Sequence, residues 1–290
     1  MKRALLVHND NAGTDPVPRH VIEAYLRRAG YESRYCSHLD EELEAALEGP
    51  FDLIVAAGGD GTVADVVSAL KDQDVPIGIL PLGGANNIAG ALGVDGDWRT
   101  IPERWSAERW TLLDRCEADG PWGRRRFVEA VGTGVLTDAV DDAEEAPRTA
   151  AEKRENGRAA FRAALCRAEP FDCAIETPDR RWQGQCLMVE IMNIPFVGST
   201  LALAPGALAG DGLFDIVVVQ PHQRDLLHEW ALDPDAAPCP LPVWRATRAR
   251  LTVHDRPFRL DDRSPDATLS GSVEVRLRRP VKILQPRELT

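Results

Sequence analysis

No apolar run in the 290 residues approaches the roughly 20 needed for a helix to cross a bilayer, so a helical membrane span is not expected. Cysteine is sparse and unclustered. There are six, with no Cys-x-x-Cys and no histidine at ligand spacing, so neither a disulfide framework nor a zinc module is expected. Reduced, mostly buried thiols are the expectation instead. Positive charge is also short: 34 Lys and Arg stand against 46 Asp and Glu, a net −12. Nucleic acid as the main partner requires a basic footprint, which this balance denies. The same deficit argues against strong, purely electrostatic adsorption to anionic membranes. Arginine runs at 124–126 and at Arg245, Arg248 and Arg250 read as surface charge. Neither Gly-x-x-x-x-Gly-Lys-Ser/Thr nor Gly-x-Gly-x-x-Gly occurs, which excludes a P-loop and the dinucleotide fingerprint. Internal repeats and long low-complexity segments are absent. The apolar part of Met1 to Val7 is too short for a signal peptide and reads as a first strand, so a cytoplasmic protein is expected.

What is present is an alternation of apolar strands and amphipathic helices over residues 1–115. Strands are read at Arg3 to His8, Tyr31 to Cys36 and Phe51 to Ala57, with helices at Val17 to Ala29 and Asp40 to Leu47 between them. Such alternation predicts a parallel sheet covered on both faces, a Rossmann-like α/β domain with its ligand beyond the carboxyl ends of the strands. After residue 107 the texture changes. Extended runs at Trp110 to Glu117 and Arg126 to Val131 flank Asp119-Gly120, a hairpin signal. Residues 141–168 read as one exposed-to-amphipathic helix. Further strands are read at Phe171 to Thr177, Trp182 to Met192, Phe214 to Val219, Trp244 to His254 and Val273 to Leu277. The expected fold is α/β plus β: a nucleotide-binding domain over 1–115, with the tail 281–290 a candidate to complete it, and a mainly antiparallel β domain over 116–280. The substrate site is expected in the cleft between them.

The strongest chemical signal lies at 53–93. Two apolar strands each run into a glycine-rich turn, and each turn opens a helix. The first reads Gly58-Gly59-Asp60-Gly61-Thr62 and the second Pro81-Leu82-Gly83-Gly84-Ala85-Asn86-Asn87. Glycines let the backbone approach an anion closely, and the free amides of turn and helix start point at it. A third polar turn, Asn9 to Gly13, follows the first strand, so the three can converge. In the helix after Thr62, Val63, Val66, Val67 and Leu70 form one stripe, which places Asp65 about 150° away, facing off the core. Asp65 is either a solvated helix carboxylate or a second carboxylate beside the phosphate site.

These motifs resemble the diacylglycerol kinase catalytic-domain family, which includes bacterial lipid kinases and sphingosine kinases. The family carries Gly-Gly-Asp-Gly-Thr with an acid three residues on, here Asp65. Its second turn, Pro-x-Gly-Thr-x-Asn-Asp, is matched at 81–87 with Gly84 for Thr and Asn87 for Asp. Its Asn-Pro-x-x-Gly is matched at 9–13 with Asp10 for Pro. Downstream, Asn193 to Gly198 and Leu203 to Asp215 resemble Asn-x-x-x-x-Gly and Ala-Pro-x-Ala-x-x-Asp-Asp-Gly-x-Leu-Asp, with Gly210 for the first of the paired acids. NAD kinases and phosphofructokinases share a similar first motif but lack that downstream segment. The family's terminal Asp-Gly-Glu corresponds to Asp261-Asp262-Arg263.

The resemblance implies an ATP-dependent lipid kinase using magnesium. Asn9, Gly58, Gly59, Asp60, Gly61, Thr62, Gly83, Gly84 and Asn86 would serve the nucleotide, with Thr62 donating a hydroxyl hydrogen bond. Asp65 and Asn87 would lie on the acceptor side. Asp261, as general base, and Asp60 would be the catalytic residues. Asp211 and Asp215 would hold the structural magnesium found in some members, or simply cap turns. For Asp261, a surface turn is the competing reading. Partners would be ATP, a lipid such as diacylglycerol or a sphingoid base, and transiently the membrane surface, touched peripherally around Phe161 and Phe196. A homodimer is compatible with this reading, and the sequence leaves oligomeric state open. Two other classes stay open: a kinase for a soluble acceptor, NAD kinase-like, and a non-catalytic nucleotide- or lipid-binding relative.

Overall fold

The computed structural model describes residues 1–40, 42–71, 74–140, 149–265 and 269–288. The chain divides into two compact units, Met1–Leu113 with Arg279–Thr290, and Asp114–Arg278.

In the first unit the elements run β1 (Lys2–His8), α1 (Arg19–Arg28), β2 (Tyr31–Ser37), α2 (Leu43–Leu47), β3 (Leu53–Gly58), α3 (Asp60–Ala69), β4 (Ile77–Pro81), α4 (Asn87–Ala91) and α5 (Ile101–Arg104). Strands β2, β1, β3 and β4 lie side by side and all parallel. Residues Ala4 to His8 and the whole of β3 are buried, as a sheet covered on both faces requires. Helix α1 packs Ile22 and Leu26 inward and carries Arg27 and Arg28 in its last turn, where the helix dipole favours cations. Gly30 stops it at φ +88°, a conformation that side chains with a Cβ resist. In α3 the stripe of Val63, Val66 and Val67 is buried, and the helix ends one residue before the buried Leu70.

Chain elements of the second unit follow: β5 (Trp105–Gly120), β6 (Gly123–Phe127), β7 (Ala130–Gly134), α6 (Val135–Val140), α7 (Ala150–Arg167), β8 (Phe171–Glu176), β9 (Arg181–Cys186), β10 (Met188–Met192), β11 (Phe214–Val219), α8 (Arg224–Trp230), β12 (Val243–Ala246), β13 (Arg248–Arg256), β14 (Phe258–Leu260) and β15 (Leu269–Pro286). Strands β5 and β15 carry residues of both units, and the end of β15 adds a parallel strand to the first sheet through Ile283 opposite Ile77. Within the second unit, one sheet is formed by β6, β5, β15, β13, β8 and β9, and another by β12, β11, β10, β7 and β14. Their inner faces share one apolar core that includes Phe127, Ile175, Val189, Phe214, Leu251 and Val273. A second core lies under the helices, with Phe161, Leu165, Leu187 and Trp230.

Five sequence expectations are corrected here. The 105–127 hairpin turns at Pro121-Trp122, because Asp119 and Gly120 still pair with Arg124 and Gly123. Trp182 to Met192 is two strands: the chain leaves one sheet at Leu187 and enters the other. Trp244 to His254 divides likewise between β12 and β13. Strands that switch sheets make the corners of a sandwich, and alternation along the sequence does not mark where they turn. The helix read over 141–168 begins at Ala150, capped by Thr149 and Glu152 bonding reciprocally; residues 141–148 lie outside the described residues. Phe161 is 1% exposed in the helical core, so it offers no membrane contact; Phe196 is half-buried.

Candidate active site

The three polar turns of the first unit meet. Asn9 N–H donates to the Ala57 carbonyl at 3.0 Å, and Asn9 Oδ1 accepts from Asn11 N–H at 3.0 Å. Gly13, at φ +78°, lies so close to Leu82 that a Cβ would overlap its carbonyl oxygen. Leu82 N–H donates to the Gly58 carbonyl at 2.9 Å. A Cβ on Gly83 would stand 2.5 Å from the Gly59 Cα. Asn86, in the left-handed region at φ 54°, accepts from Gly83 N–H at 3.0 Å and donates to its carbonyl at 2.9 Å. Asp60 Oδ1 accepts from Ile88 N–H at 2.8 Å and so ties the start of α3 to the start of α4. Helix α3, ten residues long, opens at this junction, where its free amides and positive dipole end suit an anion.

Gly83→Ala is therefore expected to drive the two turns apart and weaken nucleotide binding by on the order of 1–3 kcal/mol, the usual cost of overpacking. Gly90→Ala, where a Cβ meets open space, should bind like wild type. A calorimetric titration with ATP checks both, and equal affinities would contradict the role given to the close approach of Gly59 and Gly83.

Three further residues of the expected site are buried or half-buried. Thr62 is 1% exposed and its hydroxyl lies buried against Gly58, so it supports the turn from beneath instead of presenting a donor at an open face. Asp65 is not solvated: its carboxylate lies 3.3 Å from His38 Nδ1, both side chains about 15% exposed at 15% and 14%. Asn87 is buried at the first turn of α4. Just before the Asn9 turn, His8 is fully buried, and burial lowers its pKa.

In the second unit, Asp261 is half-buried at the start of a turn whose next residues are exposed, and its carboxylate is engaged. It adopts φ 51°, and its carboxylate accepts backbone N–H groups of Glu129 at 2.7 Å, Val128 at 3.1 Å and Ala130 at 3.4 Å. Only the Val128 amide reaches Oδ2. Burial pushes the Asp261 carboxyl up to about 6 against the pull of the Glu129 and Val128 amides, with Asp262 adding like charge and the Ala130 amide opposing. The opposite side of the same segment is held by Asn193, fully buried, whose Nδ2 donates to the carbonyls of Val128 and Asp114.

A buried ion pair that the sequence reading missed fixes the Asp261 turn from behind. Glu190 on β10 and Arg259 on β14 both lie opposite Gly132 on β7. Having no side chain, Gly132 leaves the room in which Glu190 Oε2 meets Arg259 Nη2 at 2.9 Å. Arg259 also donates through Nη1 to the Asp261 carbonyl. Burial alone would lower the Arg259 pKa, but Glu190, Asp262 and Glu129 outweigh it and hold the guanidinium charged. An acid inside the fully buried strand Met188–Met192 was the available signal.

Asp211 and Asp215 do not fit a magnesium site. The Arg245 guanidinium pairs with both, Asp211 Oδ1 caps Leu213 N–H at 3.0 Å, and Gly210 supplies no third carboxylate. No group of three metal-ligating side chains exists among the described residues. Burial raises the Asp215 carboxyl to about 6, with Arg245 opposing.

Residues 3–118 match the model of the diacylglycerol kinase catalytic domain, and residues 129–231 match that of the YegS C-terminal NAD kinase beta sandwich-like domain. The chain is 27% identical over 234 residues to the "Diacylglycerol kinase" of Bacillus subtilis, covering 76% of this chain and 74% of that one. It is 29% identical over 239 residues to a Pseudomonas fluorescens protein named "Probable lipid kinase YegS-like", covering 77% and 74%. Among solved structures, a diacylglycerol kinase from Bacillus anthracis superposes with a TM-score of 0.75 at 17% identity, covering 98% of this chain and 96% of that one. An NAD kinase from Archaeoglobus fulgidus in complex with ATP superposes at 0.55 and 16% identity, covering 98% and 94%.

Proposed function

Because the chain belongs to the diacylglycerol kinase catalytic-domain family and is a kinase of that family, we propose that it transfers the γ-phosphoryl group of ATP to the hydroxyl of a lipid. The observation that carries this reading is the junction of two glycine turns at Gly59 and Gly83, locked by Asp60 and Asn86. Phosphoryl transfer asks for positioning, charge neutralisation and an oriented nucleophile. Amides of Gly58 to Gly61 and of Gly84 cradle phosphate oxygens, with the N-terminus of α3 adding its dipole, while Gly83, its own amide taken by Asn86 Oδ1, lets the second turn approach the first. No lysine follows the turn, so magnesium carried with the nucleotide would supply the remaining positive charge, and Asp60 would be the carboxylate to hold it. Asp65, paired with His38, and the buried Asn87 are assigned to the acceptor side. Asp261 is the base: Oδ2, less engaged than Oδ1, takes the proton of the acceptor hydroxyl as that oxygen attacks the γ-phosphorus and the bond to the β,γ-bridging oxygen breaks, releasing ADP.

Magnesium-ATP is expected to stabilise the protein by about 2.7 kcal/mol at a hundredfold excess over its dissociation constant. Asp60→Asn, which keeps an oxygen for Ile88 N–H but loses the charge, should lose most of that stabilisation. Thermal melts with and without nucleotide measure both. Wild-type melting that ignores millimolar ATP sinks the proposal.

One observation favours a second reading, a non-catalytic relative. The Asp261 carboxylate already satisfies three backbone amides, which is what a purely structural latch would do. Nucleotide-dependent stabilisation with no transfer to any acceptor would support that reading.

A further inference from the structure

The second unit carries a basic face within an acidic protein. Side chains alternate along its outer sheet, so Arg248, Arg250, Glu274 and Arg276 point away from the core that holds Ala249, Leu251, Val273 and Val275. One row across the sheet reads Glu274, Arg250, Glu176, Arg181, alternating in sign, with Arg250 paired to Glu274 and Arg181 3.7 Å from Glu176. The neighbouring row is unbalanced. Its centre is Glu117, whose side chain is 5% exposed and takes three guanidiniums: Arg276 at 2.8 Å, Arg278 at 3.0 Å and Arg124 at 3.2 Å. Those arginines keep 41%, 45% and 58% of their side-chain surface. Burial would raise the Glu117 carboxyl, but Arg276 and Arg278 outweigh it and hold it ionised below its ordinary value.

Arg248 lies opposite Arg276, and Arg126 opposite Glu117. Asp119 shares Arg124 at 3.6 Å. At the β8–β9 turn, Asp179 and Arg180 complete the rim of a concavity of about 660 Å³ lined by Arg181, Arg248, Arg250 and Arg276. Eight arginines thus stand among five carboxylates, a surplus of three. Since the chain totals −12, the remainder carries −15.

We propose that this arginine face docks the protein on an anionic phospholipid surface, with lipid phosphates accepting hydrogen bonds from guanidiniums that Glu117 holds in place. The proposal rests on the reading that the acceptor is a lipid. Guanidinium suits the role because it is weakly hydrated and presents paired donors to phosphate oxygens. An exposed sheet face presents several guanidiniums to a bilayer surface at once. The acidic remainder does not cancel the patch at physiological salt, because charges beyond about 8 Å are screened. At about 0.01 M salt screening reaches only beyond about 30 Å, so the remainder repels the surface. Binding should therefore be strongest at intermediate salt, weaker both at 0.01 M and at 1 M.

Flotation with vesicles of phosphatidylglycerol and phosphatidylcholine, against phosphatidylcholine alone, tests this without nucleotide or acceptor. Wild type should float only with the anionic vesicles. Arg181→Gln with Arg248→Gln should lower partitioning about 25-fold, roughly fivefold for each charge near the surface. Arg27→Gln with Arg28→Gln, the same charge change on two exposed residues of the first unit, should not. Melting temperatures confirm that each variant folds. Equal binding to both vesicle types, unchanged binding of the double variant, or capture of nucleic acid in place of vesicles would overturn the proposal. Phosphoryl transfer to lipid in detergent micelles without vesicle binding would sink docking alone; vesicle binding without transfer would sink the lipid kinase reading alone.

Discussion

Asp261→Asn is expected to lower turnover by about 10² to 10⁴, the usual worth of a positioned acid or base, while leaving the affinity for ATP unchanged. The substitution removes the charge that accepts the proton. It also leaves one carbonyl oxygen where two carboxylate oxygens meet the amides of Val128, Glu129 and Ala130. A stability loss on the order of 1–3 kcal/mol should accompany it, as for a buried donor left without its partner. A pH profile separates the two effects. Burial raises the Asp261 carboxyl to about 6, and a base works only when ionised, so wild-type kcat/KM should fall as pH drops through about 6. The Asn variant should lack that limb. For stability the sign is opposite. The folded state holds this proton more tightly than the unfolded chain, so the contribution is fully present below the ordinary carboxyl value and lost as pH rises through about 6. A fully active Asn variant would remove Asp261 from the mechanism and direct attention to Asp60 and to Asp65 beside His38.

The second large effect is expected at Arg259. Arg259→Met leaves Glu190 buried without its partner, which costs about 3–5 kcal/mol. At about 2–4 °C per kcal/mol for a domain of this size, Tm should fall by roughly 6–20 °C. Arg259→Met combined with Glu190→Leu should recover much of the loss, because the cost lies in the stranded charge. The double variant should still turn over slowly, since nothing replaces the Arg259 donor at the Asp261 carbonyl. Melts of the two variants check the energetics. A single variant as stable as wild type would show that the pair carries no weight.

The parallel sheet was legible because its physics is local. An uninterrupted apolar run such as Leu53 to Ala57, ending in glycines and opening a helix, has few alternatives. Convergence of the 9–13, 58–62 and 81–87 turns followed from strand direction alone. Contacts that depend on tertiary placement were not legible. Whether Asp65 meets solvent or His38 depends on where β2 ends, and helical phase cannot report that. Phe161 reads as a surface aromatic in a charged segment, yet α8 and the strand ends close over it. The Asp261 turn has lost the family's glycine, which suggests an exposed loop, but its carboxylate is held by residues more than 130 positions away. Net charge is silent in the same manner, since a total of −12 says nothing of how arginines are distributed over one sheet face.

The most direct test of the account is the fate of the terminal phosphate. Wild-type protein would be incubated with ATP labelled at the γ position, magnesium, diacylglycerol and a sphingoid base in mixed micelles, and NAD in the same tube. The products would then be partitioned between organic and aqueous phases. The account predicts label in a phosphorylated lipid in the organic phase, reduced 10² to 10⁴ in the Asp261→Asn variant. Label transferred only to the aqueous acceptor, or none transferred by a protein that ATP stabilises, would contradict it.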